Sequence, residues 1–321
     1  MTSLPSANRE RRPRPGPTLT TLSHSVYARD VTVEGAGKRP GEVFDAVAEA
    51  YDRVRPSYPA ELIDAACTIA ALEPGSRVLE VGCGTGKLTE ALVERGLVVD
   101  AVDPGVNMIA LARRRVRDSD SVEFHLGRFE EVSLPEGVFD AVFSATAFHW
   151  IDPGVGWAKA ARSLRPGGTL ALIMHISYSE ESTAADHEAL QEVFRKYWAN
   201  QGHSYPLRDL TTLRTGVDER RDNVSAVWTW LGHHDLDSPE AATLFDDVHL
   251  TTLHLSLEQT ADELWAFFET TSSYQRLDPS SRTALEAEAR ALVESRGGKI
   301  HTSDLAVLVT AKRARVSVNG S

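Results

Sequence analysis

A glycine-rich turn with an acidic residue in front of it is the first feature of the sequence that could do chemistry. The stretch "VLEVGCGTGKLTEAL", residues 78–92, carries a carboxylate at Glu80 and then three alternating glycines, Gly82, Gly84 and Gly86. A dinucleotide fingerprint places its third glycine three residues after the second, and a P-loop follows its Gly-Lys pair with Ser or Thr. The spacing here matches neither pattern, so a different nucleotide-like ligand is indicated.

A second carboxylate, Asp103, ends the next apolar stretch, "VVDAVD". A carboxylate at the end of the second strand of such a unit can accept hydrogen bonds from ribose hydroxyls. Glu80 is unfavourable beside a pyrophosphate but suits a ligand that carries an ammonium group. An amino group near Glu80 and a diol near Asp103 together describe S-adenosylmethionine (SAM).

These residues need a framework, and strands alternating with amphipathic helices predict one. Apolar strands are predicted at 77–82, 98–103, 122–127, 139–146 and 169–176, with helical patterns between most of them. Such alternation indicates a parallel sheet covered on both faces, with ligands at the carboxyl ends of its strands. Two further strand candidates, "VHLTTLHLSL" at 248–257 and "DLAVLVTAKRA" at 304–314, bring the number to seven. The predicted fold is α/β, a Rossmann-like doubly wound sheet of seven strands.

The rhythm breaks after position 176, which suggests an insertion. We predict a disordered tail at 1–38, a SAM-binding core with N-terminal helices at 39–176, a substrate cap at 177–246, the rest of the core at 247–314 and a second tail at 315–321. The cap prediction rests on its position, because an insertion leaving the carboxyl end of a strand is expected to lie over the active site.

Four ordered motifs extend the argument: "VLEVGCGTG", "AVDPG", "FDAVFSATAFHWID" and "LRPGG". In order and spacing they resemble class I SAM-dependent methyltransferases. With the upstream "FDAVAEAYDRVRPSYP" and the "AFHW" segment, the chain is similar to the trans-aconitate and quinone-biosynthesis subgroup. The resemblance implies methyl transfer from SAM and the seven-stranded methyltransferase fold.

The resemblance also assigns roles within the SAM pocket. Glu80, Gly82 and Gly84 would line the methionine end of SAM, and Asp103 would hold the ribose. Met108 would pack on the adenine, with Phe129 or Glu130 beside it, because Arg128 stands where the family usually has an acid. The "YDRVRPSYP" segment would fold over the pocket and bring Tyr51, Arg55 and Tyr58, with an arginine pairing with the carboxylate of SAM.

Residues expected near the methyl acceptor lie in two places. His149, at the end of the fourth strand, is a candidate base, hydrogen-bond donor or wall, and Trp150 beside it is expected to pack. In the predicted cap, Asp186 and His187 begin a helical stripe, and Trp228 and Trp230 alternate as on one side of an extended segment.

The aromatic cap suggests one sharper hypothesis: C-methylation of a prenyl diphosphate such as geranyl diphosphate, as in prenyl-diphosphate C-methyltransferases. Glu188, or its neighbours Asp186, Glu181 and Glu180, would then be the base that removes a proton from the carbocation, and Trp228 would be a wall. Mg²⁺ is expected only as a companion of such a diphosphate. Two alternatives stay open: O-methylation of a small carboxylic acid, phenol or quinol, and a SAM-binding sensor or partner protein without activity.

Composition excludes several classes. The 321 residues carry a formal charge of −12, which opposes nucleic-acid binding, and no apolar run is long enough to span a membrane. Two cysteines without zinc-like Cys/His spacing fit a reducing cytoplasm and a protein with no metal site of its own. The expected partner is a small molecule of specialised metabolism, and the chain is expected to be a monomer or a homo-oligomer.

Overall fold

The structure, a computed structural model, describes residues 42–117, 119–198, 207–232, 236–275 and 277–315. The predicted N-terminal tail lies outside these ranges, as does the predicted C-terminal tail apart from its first residue.

One seven-stranded sheet forms the centre of the protein. Its strands are β1 (Arg77–Val81), β2 (Val98–Asp103), β3 (Val122–Leu126), β4 (Phe139–Ala145), β5 (Leu164–Ser177), β6 (Phe245–Thr260) and β7 (Lys299–Arg313). They lie in the order β3-β2-β1-β4-β5-β7-β6. The first five run parallel, and β7 runs antiparallel to both of its neighbours. The predicted α/β fold with seven strands is confirmed.

Twelve α-helices and two 3₁₀ turns are found in the described residues. Before the insertion they are the 3₁₀ turn Glu42–Val47, α1 (Ala48–Val54), α2 (Ala60–Ile69), α3 (Lys87–Glu94), α4 (Val106–Arg115), the 3₁₀ turn Phe148–Trp150 and α5 (Pro153–Ser163). Between β5 and β6 lie α6 (Ala184–Trp198), α7 (Leu210–Asp218), α8 (Val224–Gly232) and α9 (Ala241–Leu244). After β6 come α10 (Ala261–Glu269), α11 (Ser272–Gln275) and α12 (Pro279–Ser295).

The sheet is buried on both faces, as the continuous apolar strands predict. On one face Leu79 belongs to a core that includes Trp157 of α5 and Trp228 of α8. On the other face Val78 packs in a core with Leu62 of α2 and Leu88 of α3. Since helices cover both faces, the ends of the strands are the part of the sheet that a ligand can reach.

The segment with alternating tryptophans, predicted to be extended, is the helix α8, so that prediction is wrong. Val224, Val227, Trp228 and Leu231 recur at helical spacing and are all buried. The Asn223 side chain accepts a hydrogen bond from the backbone N–H of Ser225 at 2.9 Å and caps the helix start. Burial of these four apolar residues, which share one face of a helix, therefore decides the secondary structure. The two-residue spacing of the tryptophans does not.

Within the described ranges, no helix combines the length and the apolar character that crossing a membrane requires.

Candidate active site

A cavity of about 230 Å³ opens at the carboxyl ends of the parallel strands. It is lined by residues after β1, β2, β3 and β4, by the N-terminal helical segment and by the loop after α10. Ten of the predicted site residues line it: Tyr51, Arg55, Gly82, Gly84, Asp103, Met108, Phe129, Glu130, His149 and Trp150.

The glycine turn requires glycine at the two positions that line the cavity. Gly82 has φ +74°, and a Cβ on it would lie 2.3 Å from the Cβ of Ala147. Gly84 has φ +53°, and a Cβ there would meet no atom within 4 Å. The backbone at Gly84 therefore borders open space that a ligand can fill, which is the arrangement expected of a cofactor cradle.

Asp103 is fixed at the end of β2 by two backbone donors. Its Oδ2 accepts a hydrogen bond from the N–H of Gly84 at 2.9 Å, and its Oδ1 accepts one from the N–H of Gly105 at 2.8 Å. Burial raises the pKa of this carboxyl, and the two backbone N–H groups oppose that shift. Each carboxylate oxygen keeps a further lone pair, so the pair can accept from a vicinal diol.

Glu80 lies behind the glycine turn and is not among the residues that line the cavity. Only 1% of its surface is exposed, and its Oε2 accepts a hydrogen bond from Thr89 Oγ1 at 2.6 Å. Burial raises the pKa of Glu80 to about 8. Glu80 is therefore a buried residue that supports the turn. The sequence had predicted instead that it lines the methionine end of SAM.

The cavity is also lined by Met108 and by an ion pair between Arg128 and Glu130. Arg128, which replaces the expected acid, donates from Nη2 to Glu130 Oε1 at 2.8 Å. The same oxygen accepts a hydrogen bond from the N–H of Asp152 at 3.0 Å. Phe129 is buried against the core, and Lys159 Nζ lies 5.2 Å from the centre of its ring. Glu130 thus balances the charge of Arg128, and Met108 and Phe129 add apolar surface to the cavity.

The N-terminal segment covers the cavity and is tied down by two aspartates. Asp45 Oδ1 accepts hydrogen bonds from the N–H groups of Asn107 at 2.7 Å and Met108 at 3.2 Å, which caps the start of α4. Asp52 accepts a hydrogen bond from Arg115 Nη2 at 2.6 Å. These contacts hold the segment over the strand ends, as the resemblance implied.

Arg55 connects the N-terminal segment to the end of α10. Its Nε donates to Thr270 Oγ1 at 3.0 Å, and its Nη2 donates to the Thr270 carbonyl at 3.1 Å. The guanidinium also lies 5.1 Å from the Tyr51 ring centre and 4.4 Å from that of Phe267. Burial lowers the pKa of Arg55, and no carboxylate in the described part of the chain lies within ion-pair distance of it. A desolvated arginine at a cavity without an acidic partner is suited to an anionic ligand group.

His149 and Trp150 form the wall beyond β4, with ring centres 5.0 Å apart. Next to them Thr146 lines the cavity with φ +52°, a strained value for a β-branched residue that is often found at functional sites. Tyr58 does not itself line the cavity. Its hydroxyl donates to Thr146 Oγ1 at 3.2 Å, so Tyr58 lies behind that lining residue. Burial raises the pKa of Tyr58.

The described residues of the predicted cap, 177–198, 207–232 and 236–246, do not line this cavity. Asp186 instead accepts a hydrogen bond from the N–H of His301 at 2.8 Å and ties α6 to β7. His187 is buried beside that contact, and Glu188 on the outer side of the helix is exposed. None of these three side chains lines the cavity, because α6 packs its apolar stripe against α10 and α12.

The two tryptophans are also placed elsewhere. Trp228 is fully buried in the core under the sheet. Trp230 packs against Arg208 and Arg220, whose guanidinium carbons lie 3.6 and 4.4 Å from its ring centre. Both side chains serve packing of the insertion, and neither lines the cavity.

Phe44 and Thr271 are among the lining residues that were not predicted as site residues. Phe44 lies seven residues before Tyr51, and this helical spacing could have identified it. Thr271 comes from the loop after α10, and nothing in the local sequence connects that loop with the glycine turn.

Comparisons with known proteins agree with this geometry. A family model described as "Methyltransferase domain" matches residues 79–172. The malonyl-[acyl-carrier protein] O-methyltransferase of Serratia marcescens is 33% identical over 198 residues, which cover 60% of this chain and 73% of that protein. The chain belongs to the class I SAM-dependent methyltransferases.

Other methyltransferases match over shorter stretches or in fold alone. An uncharacterized methyltransferase of Mycobacterium tuberculosis (strain ATCC 25618 / H37Rv) is 46% identical over 130 residues, 40% of this chain and 51% of that protein. The chain thus spans about half the length of that relative. A solved structure from Anaeromyxobacter dehalogenans, named as a candidate type II methyltransferase, superposes with a TM-score of 0.53 at 20% identity, covering 81% of this chain and 99% of the other. That likeness concerns the methyltransferase fold.

Proposed function

We propose that the protein transfers a methyl group from SAM to an oxygen atom of a small organic acceptor. One observation carries this proposal: a single cavity joins the glycine turn and Asp103 to His149. The Serratia relative, named as an O-methyltransferase, supports oxygen as the accepting atom and a carboxylic acid as a candidate acceptor.

The residues of the first half of the cavity fit SAM. The open space at Gly84 admits its methionine part, and the free lone pairs of Asp103 suit its ribose diol. Arg55 has no acidic partner in the described chain and suits its carboxylate. Met108 and Phe129 supply the apolar surface for its adenine. When bound, SAM would supply an electrophilic methyl group on a sulfonium.

The second half of the cavity is suited to orienting an acceptor. Trp150 and Phe44 give it apolar walls and exclude water, and such alignment in a dry site lowers the barrier to displacement. His149 is the lining imidazole that would take the proton of a phenol or quinol. A carboxylic acid acceptor is already ionised at neutral pH, and His149 would then orient it as a hydrogen-bond donor.

C-methylation of a prenyl diphosphate is the less favoured acceptor chemistry. The hypothesis depended on Glu188 as base and Trp228 as wall, and neither lies at the cavity. The two carboxylates that line it in the described chain, Asp103 and Glu130, already accept backbone or arginine hydrogen bonds. A role for Mg²⁺ therefore has no support from these residues. A place in specialised metabolism and in the cytoplasm stays a prediction, as do the absence of a nucleic-acid partner and the oligomeric state.

The test is formation of S-adenosylhomocysteine (SAH) from SAM over a panel of acceptors, with and without Mg²⁺. The panel holds small carboxylic acids, phenols, quinols, and geranyl and farnesyl diphosphates, and product masses identify the methylated compound. We expect turnover on an acid, phenol or quinol without Mg²⁺. Mg²⁺-dependent methylation of a prenyl diphosphate would contradict oxygen transfer.

Two variants sharpen this assay. With a phenol or quinol acceptor, His149→Gln should lower kcat at least tenfold and leave the Kd for SAH within about twofold. His249→Gln is the matched control, because His249 is exposed on β6 and pairs with Asp247 at 2.8 Å. Tight SAM binding without turnover on any acceptor would instead favour the sensor alternative.

A further inference from the structure

Three aromatic side chains at the cavity contact one another in a row. The ring centre of Phe44 lies 5.7 Å from that of Tyr51 and 5.5 Å from that of Trp150. Both pairs meet edge to face, with interplanar angles of 62° and 69°. All three residues line the cavity, and we call them the aromatic roof.

The roof is preorganised by polar contacts of neighbouring residues. Asp45, next to Phe44, accepts hydrogen bonds from two N–H groups at the start of α4. Asp52, next to Tyr51, pairs with Arg115 at 2.6 Å. Since the rings are held before any ligand arrives, their interaction with a ligand costs little ordering.

The charged groups of the cavity are assigned to other partners, because the proposed function gives Asp103 to the ribose and Arg55 to the carboxylate of SAM, and Glu130 pairs with Arg128. Asp103 and Glu130 are the carboxylates that line it in the described ranges, and both are engaged in hydrogen bonds. Two cations, Arg55 and Arg128, line it as well. The electron-rich faces of aromatic rings attract cations, and Tyr51 already has the Arg55 guanidinium 5.1 Å from its centre.

We infer that the aromatic roof recognises the positive charge of the sulfonium, so that the protein distinguishes SAM from its neutral product SAH. The inference rests on the proposed function, since it assumes that SAM fills this cavity. The interaction is lost when the sulfonium becomes a thioether, and this difference favours exchange of SAH for fresh SAM after each turnover.

The test is isothermal titration calorimetry of SAM and of SAH against the full chain, at one pH and one salt concentration. Phe44→Leu keeps an apolar side chain but removes the ring. We expect it to weaken SAM binding about 3- to 30-fold and SAH binding less than twofold, from the usual strength of cation–π contacts. Phe44→Tyr is the matched control and should retain the preference for SAM.

Trp150→Leu and Trp150→Phe repeat the comparison on a second ring, in case one variant does not fold. An equal loss of SAM and SAH affinity in the two leucine variants would overturn the inference, because it would show a general covering role. Wild-type protein that binds neither ligand would overturn the proposed function itself, and the inference with it.

Discussion

At the residue scale, Asp103 is the side chain whose chemistry follows most directly from the sequence. A carboxylate at the end of the second strand indicated a diol-binding group, and the structure gives it two backbone donors and free lone pairs. We expect Asp103→Asn to weaken SAH binding about 10- to 100-fold, the usual effect of losing hydrogen bonds to a charged acceptor. Calorimetry measures this, and unchanged affinity would show that the ribose binds elsewhere.

Glu188 allows the opposite prediction. Its side chain is exposed on α6, away from the cavity. We expect Glu188→Gln to retain kcat and KM within about twofold on any acceptor that the wild-type protein methylates. A loss of kcat of tenfold or more would contradict the placement of the acceptor beside His149.

Glu80 predicts a pH dependence of stability. Its pKa of about 8 in the folded protein exceeds the ordinary value of 4.5, so the folded state binds the proton more tightly than the unfolded state. Stability from this group is therefore full below about pH 4.5 and falls as the pH rises to about 8. The neutral Glu80→Gln variant lacks this loss and should gain stability relative to wild type, on the order of a few kcal/mol, between those pH values.

The measurement is the melting temperature of both proteins at a series of pH values from 5 to 9. Since SAM and SAH would alter the charge near the glycine turn, the series is recorded without ligand. Parallel curves for the two proteins would show that Glu80 is already ionised in the fold.

At the element scale, the N-terminal segment covers the cavity, as the resemblance implied, whereas no described residue of the insertion lines it. The expectation treated an insertion after a strand end as a cap. The helices of the insertion instead bury their apolar stripes, α8 under the sheet and α6 against α12. A sequence shows that such a stripe exists but not which surface will cover it, because that surface is remote in the chain.

The contact between Asp45 and the start of α4 is therefore expected to matter for ligand binding. Asp45→Ala removes the acceptor for two N–H groups, which typically costs about 1 kcal/mol of stability, and it frees the roof. We expect a lower melting temperature and an SAH affinity reduced at least threefold. Asp64→Ala is the control, since Asp64 forms an exposed pair with Arg95, 2.7 Å away, that contributes little.

An Asp45 variant with lowered stability but unchanged SAH affinity would show that the segment does not cover the bound ligand. The Asp64→Ala control measures how much of any change comes from losing a surface carboxylate alone.

At the scale of the whole molecule, the periodicity of apolar residues was sufficient to locate the strands. It did not predict every pairing or contact between them. The five parallel strands and the candidates for β6 and β7 followed from apolar runs and helix spacing. The position of β7 between β5 and β6 rests on ladders to strands far apart in the chain, and it was implied only by the resemblance. The hydrogen bonds between Arg55 and Thr270 join residues 215 positions apart and had no local signal.

The central claim is that SAM occupies the cavity between the glycine turn and the aromatic roof. A crystal structure of the protein with SAH tests it most directly. The expected result is density for SAH in this cavity, with the ribose hydroxyls within hydrogen-bond distance of Asp103 and the homocysteine carboxylate beside Arg55. SAH bound at any other surface, or a cavity without SAH at saturating concentration, would contradict the account.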